Sequence, residues 1–300
     1  FAMVPSALRH AARDPRSPGA GTLVEPASQA APVSPRRLSA HQRRALKTIL
    51  AALDSSRAHR ILLHGVTASG KTELYLRAID HVLAQGRSAI YVLPEIALTP
   101  QTIDWIRERF GSRAALWHSR LTATDRASAW ARLASGACRI VVGARSAVFA
   151  PVHHLGLIVI DEEHASTYKQ QECPRYHARE VALARARLTG ATVVLGSATP
   201  SIESYYAATQ RGNQLVRLPE RVEGRGLPKV DIIDMREELA RRHSSGPLSH
   251  RLQRELQQTI DQGEQAMLLL NRRGFARVAQ CKACGEVKRC ERCAVPLIYH

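Results

Sequence analysis

The chain has 300 residues, 45% apolar and 23% charged, a balance that suits about two globular domains. Forty-three Lys and Arg against 26 Asp and Glu leave a formal charge of +17, which favours a polyanionic partner and argues against an acidic one. It contains no run of about 18 apolar residues and no charged head followed by an apolar core, so neither a membrane span nor a secretory leader is expected.

Residues 1–35 are rich in Ala, Pro, Ser, Gly and Arg without periodicity and read as a linker or disordered lead-in. The start on Phe1 and the stop at His300 inside a cysteine motif read as the ends of a fragment. From residue 36 to 218 the pattern is regular. HQRRALKTILAAL reads as a helix, RILLHG as a buried strand, and TELYLRAIDHVLAQG as a helix with Leu74, Tyr75, Ala78, Ile79, Val82 and Leu83 on one face and Gly86 at its stop. SAIYVLPE is a strand, and Thr99-Pro100 caps and opens a helix carrying Ile103, Ile106 and Phe110. AALWHS, CRIVVGA, LGLIVIDEEH and ATVVLGSATP read as further strands, with helices over TATDRASAWARLASG and RYHAREVALARARLTG. Val/Ile/Leu-rich strands alternating with amphipathic helices predict a parallel sheet covered on both faces, with ligands at the carboxyl ends of its strands. The pattern breaks at the Pro/Gly/Arg-rich LPERVEGRGLPKV, taken with its flanks as a connector over 219–247. A second α/β unit starts over 248–280, with Leu252, Leu256 and Ile260 in helical register and EQAMLLLNRRG as its strand.

Gly65-Val66-Thr67-Ala68-Ser69-Gly70-Lys71-Thr72 fits G-x-x-x-x-G-K-[ST] between a strand and a helix. Its backbone N–H groups would curl around phosphates, Lys71 would reach the β- and γ-phosphates, and the Thr72 hydroxyl would ligate Mg²⁺. LIVIDEEH delivers Asp161 and Glu162 to the same sheet edge, Asp161 to hold Mg²⁺ through its hydration shell and Glu162 to orient and deprotonate the attacking water. Between a catalytic strand and the next helix, HASTYKQQECPRYHAR interleaves Tyr168 and Tyr176 with Lys169, Arg175 and His177. Rings and cations together suit single-stranded nucleic acid; the competing reading packs the tyrosines beneath the loop. Cys138 and Cys173 read as incidental thiols. Cys281-x2-Cys284 and Cys290-x2-Cys293 have the spacing of zinc knuckles, but the five residues between them are few for one tetrahedral site, so two separate sites suit them better.

DEEH followed by GSATPS has the pattern of superfamily 2 helicases and translocases, with Ser197 and Thr199 as the hydroxyl motif linking nucleotide state to lobe movement. GVTASGKTELYL, LPEIALTPQ, GARSAVF, IDEEHASTYKQQECPRYHARE, GSATPSIES and LLLNRRGFARVAQCKACG resemble the primosomal protein N′ (PriA) family of replication-restart DNA helicases, from about Leu38 to His300. The resemblance implies a RecA-like P-loop NTPase lobe followed by the start of a second lobe with a zinc-binding insertion. It implies ATP, Mg²⁺ and two Zn²⁺ ions, the latter held by four interleaved cysteine pairs of which this chain carries two over 281–300, so that both zinc sites are half-built. Movement 3′ to 5′ on forked and single-stranded DNA, with single-strand-binding protein and primosome proteins as partners in the bacterial cytoplasm, is implied as well.

By the same resemblance Gln42 reads the adenine edge, His164 joins Ser197 and Thr199 in coupling, and the aromatic loop signals DNA binding to the nucleotide site. His118 and Ser119, with Gly143, Arg145 and Ser146, would track the DNA backbone, Arg145 on a phosphate. Ala68 stands where the family has glycine, which alanine can replace if φ there is negative. An RNA-directed superfamily 2 ATPase and a zinc-bearing nucleotide-binding scaffold are the alternatives.

Overall fold

The computed structural model describes residues 37–55, 57–222, 229–242, 248–269, 281, 284 and 286–295. The lead-in over 1–35 and most of LLLNRRG lie outside them. The chain divides into two compact units, residues 1–226 and 227–300.

The first unit is an α/β fold of seven parallel strands: β1 (Arg60–Gly65), β2 (Ser88–Val92), β3 (Ala114–Trp117), β4 (Ile140–Gly143), β5 (Leu155–Ile160), β6 (Thr192–Ser197) and β7 (Gln214–Leu218). Their order across the sheet is β3-β4-β2-β5-β6-β1-β7. Every residue of β2, β5 and β6 is buried, whereas edge strand β7 is only partly so. This explains the unbroken apolar runs: central strands of a doubly covered sheet have no face left for water.

Among the described residues six α-helices cover the two faces. On one side α1 (Ala40–Asp54), α2 (Lys71–Ala84) and α3 (Pro100–Phe110) bury Ile49, Ile79, Ile106 and Phe110 against Ile61, Leu63 and Val159. On the other, α4 (Ala123–Ala134), α5 (Ala178–Thr189) and α6 (Ile202–Gln210) bury Leu133, Ala182 and Ala208 with Leu62, Ile158 and Ile160. Strand residues one apart thus serve opposite cores, as the pleat requires. Polar caps set where the helices start. Thr99 accepts from the Thr102 N–H with Pro100 first in α3, and Ser201 accepts from Ser204 at α6. Helix α6 and strand β7, within a stretch where no element was expected, complete the sheet on its β1 side.

The strand order fixes the chemistry's layout. Because β6 lies between β1 and β5, Ser197 at its carboxyl end emerges between the phosphate loop after β1 and Asp161 after β5.

In the second unit α7 (Met235–Arg242) and α8 (His250–Asp261) are the helices among the described residues. Leu252 and Leu256 of α8 are half-buried and Ile260 is 62% exposed, so among the described residues the expected apolar face has no core over it. Residues 264–269, expected to begin a strand, have no regular structure.

Candidate nucleotide site and its nucleic-acid loop

The phosphate loop runs from β1 into α2, and its tip residues Thr67 and Ala68 are exposed. Lys71, buried at the first position of α2, donates its Nζ to the Gly65 carbonyl at 2.8 Å and so spans the loop from end to start. Gly70 caps α2 with φ +80°, and a Cβ there would overlap the Gln42 amide, so only glycine fits on both counts. Ala68 has φ +61°. The condition for an unstrained alanine is therefore not met: the loop's curl demands a left-handed residue, and alanine occupies it against its preference.

Gln42 joins α1 to this loop. Its Oε1 accepts from the Ser39 N–H at 2.8 Å, its own N–H donates to Ser39 Oγ at 3.2 Å, and its Nε2 donates to the Ser69 carbonyl at 2.8 Å. The pair with Ser39 is a capping box. Behind the loop, Val66 N–H donates to Leu218 and Val222 N–H to Ala68, so the chain leaving β7 straps the loop from a side that the motif's spacing does not indicate.

Asp161 and Glu162 follow β5. Asp161 Oδ1 accepts from the Tyr75 hydroxyl at 3.1 Å and from the Glu162 N–H at 3.0 Å. Burial, with the Glu162 charge next to it, pushes the Asp161 carboxyl up to about 6. Glu162 has φ +44°, an unusual conformation that turns the chain sharply out of the sheet. His164 Nδ1 lies 2.8 Å from Ser197 Oγ and 3.6 Å from Glu162 Oε2, while its Nε2 lies 3.5 Å from Thr199 Oγ1. The three residues expected to couple are thus in one cluster that also touches Glu162.

Beside it is a network that motif reading does not reveal. Glu163, 1% exposed, accepts from Arg179 at 3.0 Å, from the Ser201 N–H at 2.6 Å and hydroxyl at 3.1 Å, and from Ser204 Oγ at 2.8 Å. Arg179 also donates to both serine hydroxyls, at 2.7 and 3.1 Å. One carboxylate therefore locks the turn after β5, the start of α5 and the start of α6 together. The only sequence signal is the second glutamate of DEEH, to which a metal-centred reading gives no role.

The aromatic loop departs from expectation. Tyr168 is 1% exposed, with its hydroxyl on the carbonyls of Asp161 and, at 3.4 Å, Val92. Its ring fills the core beneath the loop and cannot stack on a base. Tyr176 is half-buried, edge-on to Phe149 at 4.9 Å between ring centres, and burial raises its phenol. Arg145 donates to the Thr167 carbonyl at 3.1 Å and the Lys169 carbonyl at 3.5 Å, and bonds Tyr176. Its guanidinium holds the loop down, in place of the expected DNA phosphate, because the loop folds back over the turn that carries it. Lys169 pairs with His177 and Gln170 N–H donates to Tyr176 at 2.8 Å, leaving Lys169 and Arg175 exposed on a narrow ribbon. His118 is half-buried, with Nδ1 unpartnered, and burial lowers its pKa, which favours the neutral imidazole.

In the second unit Cys281 N–H donates to the Glu286 carbonyl and Cys290 N–H to the Val295 carbonyl, each at 2.8 Å, and residues 291–293 form a turn. N–H groups of Arg292 and Cys293 point at the Cys290 sulfur and lower its pKa, the polarity a thiolate ligand needs. Among the described residues no three His, Cys, Asp or Glu side chains gather closely enough to hold a metal. None of the described helices is long and apolar enough to cross a membrane.

The DEAD/DEAH box helicase family matches residues 39–207. The chain is similar to the replication restart protein PriA of Bacillus subtilis (strain 168), 48% identical over 266 residues that make up 89% of this chain and 33% of that protein. It is also similar to the replication restart protein PriA of Treponema pallidum (strain Nichols), 46% identical over 263 residues, 88% of this chain and 39% of that one. The chain therefore spans between a third and two fifths of the length of these relatives. A solved structure of RecG bound to a three-way DNA junction overlaps 64% of this chain and 25% of its own, with 24% identity and a TM-score of 0.48.

Proposed function

The chain belongs to the DEAD/DEAH box helicase family, and on that premise we propose that it carries the ATP-hydrolysing lobe of a 3′-to-5′ DNA helicase that restarts replication at stalled forks. The observation that carries this reading is the convergence of Lys71, Asp161, Glu162 and the His164–Ser197–Thr199 cluster on one edge of one sheet. Magnesium bound with ATP would neutralise the phosphates. The chain's own part is to seat the γ-phosphate at Lys71 and Thr72, hold the hydrated ion at Asp161, and take a proton from the attacking water at Glu162. The residues fit these roles, since Asp161 Oδ2 has no donor among the described residues, and Lys71 Nζ needs only to leave a carbonyl to meet a phosphate. Gln42 retains a second N–H and a second carbonyl lone pair, enough for the N7 and N6 edge of adenine.

DNA contact rests on Lys169, Arg175 and the exposed part of Tyr176, with His118 as a neutral hydrogen-bonding group. The partners proposed are forked and single-stranded DNA, single-strand-binding protein and primosome proteins on the bacterial nucleoid; similarity to proteins named for replication restart supports the DNA among them. Each of the two cysteine pairs, Cys281 with Cys284 and Cys290 with Cys293, supplies half of a zinc site. The test is ATP hydrolysis by the complete protein with and without branched DNA at two salt concentrations. Stimulation that weakens at higher salt and disappears in Lys71→Ala is expected; stimulation that survives Lys71→Ala overturns the site.

A further inference from the structure

We infer that Tyr75 is a positioning residue for the metal-facing carboxylate: its buried hydroxyl occupies Asp161 Oδ1 and leaves Oδ2 as the oxygen presented to Mg²⁺. The inference rests on the nucleotide-site reading above and adds a residue to it.

Tyr75 lies one turn after Lys71 on α2, so a single helix face carries the phosphate-seating ammonium and this phenol. Tyr75 is 1% exposed and its ring lies against Tyr91, 5.8 Å between centres. The hydroxyl donates to Asp161 Oδ1 at 3.1 Å, and the Glu162 N–H donates to the same oxygen at 3.0 Å. Two donors on one oxygen fix the carboxylate's rotation about its terminal bond, as outer hydrogen-bond partners of metal ligands do. The opposite wall is Gly196, in the strand that separates the phosphate loop from Asp161. A Cβ on Gly196 would overlap the Tyr75 hydroxyl and stand 3.3 Å from Asp161 Oδ1. The glycine of GSATPS thus provides the space in which the phenol meets the carboxylate. Its φ is not in the left-handed region, so room rather than backbone freedom explains it.

The experiment is equilibrium binding of a fluorescent ADP analogue to the full chain, titrated with Mg²⁺, in the wild type, Tyr75→Phe, Gly196→Ala and the double variant. Tyr75→Phe keeps the ring and removes only the donor. The Mg²⁺ concentration giving half-maximal tightening is expected to rise about tenfold, with binding in EDTA unchanged. Gly196→Ala pushes the hydroxyl off Oδ1 and gives a similar rise, and the double variant gives no more than either alone. An unchanged Mg²⁺ midpoint in Tyr75→Phe overturns the inference. So does loss of binding in EDTA, because the hydroxyl then supports the fold and not the metal-facing oxygen. A wild type whose binding ignores Mg²⁺ instead overturns the nucleotide-site reading beneath it.

Discussion

Tyr168 hangs from the aromatic loop with its hydroxyl on the carbonyl oxygen of Asp161, seven residues earlier in the chain. The loop is therefore joined to the catalytic strand through its own core-filling side chain, and any shift of its base is felt at the carboxylate.

Tyr168→Ala should destabilise the first unit by about 3–5 kcal/mol through the cavity it leaves, and Tyr168→Phe by about 1 kcal/mol through the lost hydrogen bonds. Urea unfolding measures both. A ring exposed for stacking would instead tolerate alanine without loss of stability.

Removing the charge at Glu163 leaves Arg179, whose side chain is only 14% exposed, with the exposed Glu180 at 3.2 Å as its remaining carboxylate. Glu163→Gln should cost about 2–3 kcal/mol, since the partly desolvated guanidinium loses its buried counter-ion and keeps only the exposed one. A shift below about 1 kcal/mol in the same unfolding experiment would show that the serine hydroxyls alone hold the three segments.

Asp161 gives a pH signature in EDTA. Its folded carboxyl titrates near 6, above its ordinary value of 3.8, so the folded state binds the proton more tightly than the unfolded one. This group's contribution to stability is fully present below 3.8 and is lost as pH rises through 6. At pH 7.5 the ionised form then costs about 3 kcal/mol. Asp161→Asn should stabilise the metal-free protein by about that amount at pH 7.5 and by about half as much at pH 5. A gain independent of pH would show that the carboxylate is not desolvated.

Ala68→Gly should raise stability by about 1 kcal/mol, because φ +61° is strained for alanine and free for glycine. Thermal melting of the pair measures it; a lower midpoint for the glycine variant means the stiffer unfolded chain of alanine outweighs the strain.

The strands, most helices, the phosphate loop and the DEEH and SATPS segments are legible because each depends on neighbours in sequence: apolar period, caps, and a glycine loop between strand and helix. The meeting of His164 with Ser197 and Thr199 needs only the knowledge that both segments end strands of one parallel sheet. Tyr168 and Arg145 depart from expectation for the opposite reason. A tyrosine in a polar loop and an arginine after a strand look alike whether they face solvent or fold inward. Only the path of residues 164–177 back over the 145–149 turn decides.

The linear order of residues by itself determined that this protein has a parallel sheet with a phosphate loop and an acidic pair at its strand ends, because periodicity and motif spacing are local properties. Tertiary structure alone decided which oxygen of Asp161 is free, which tyrosine is buried, and that Glu163 clamps three segments. Those outcomes depend on side chains up to 86 residues apart competing for the same few ångströms of space and the same lone pairs.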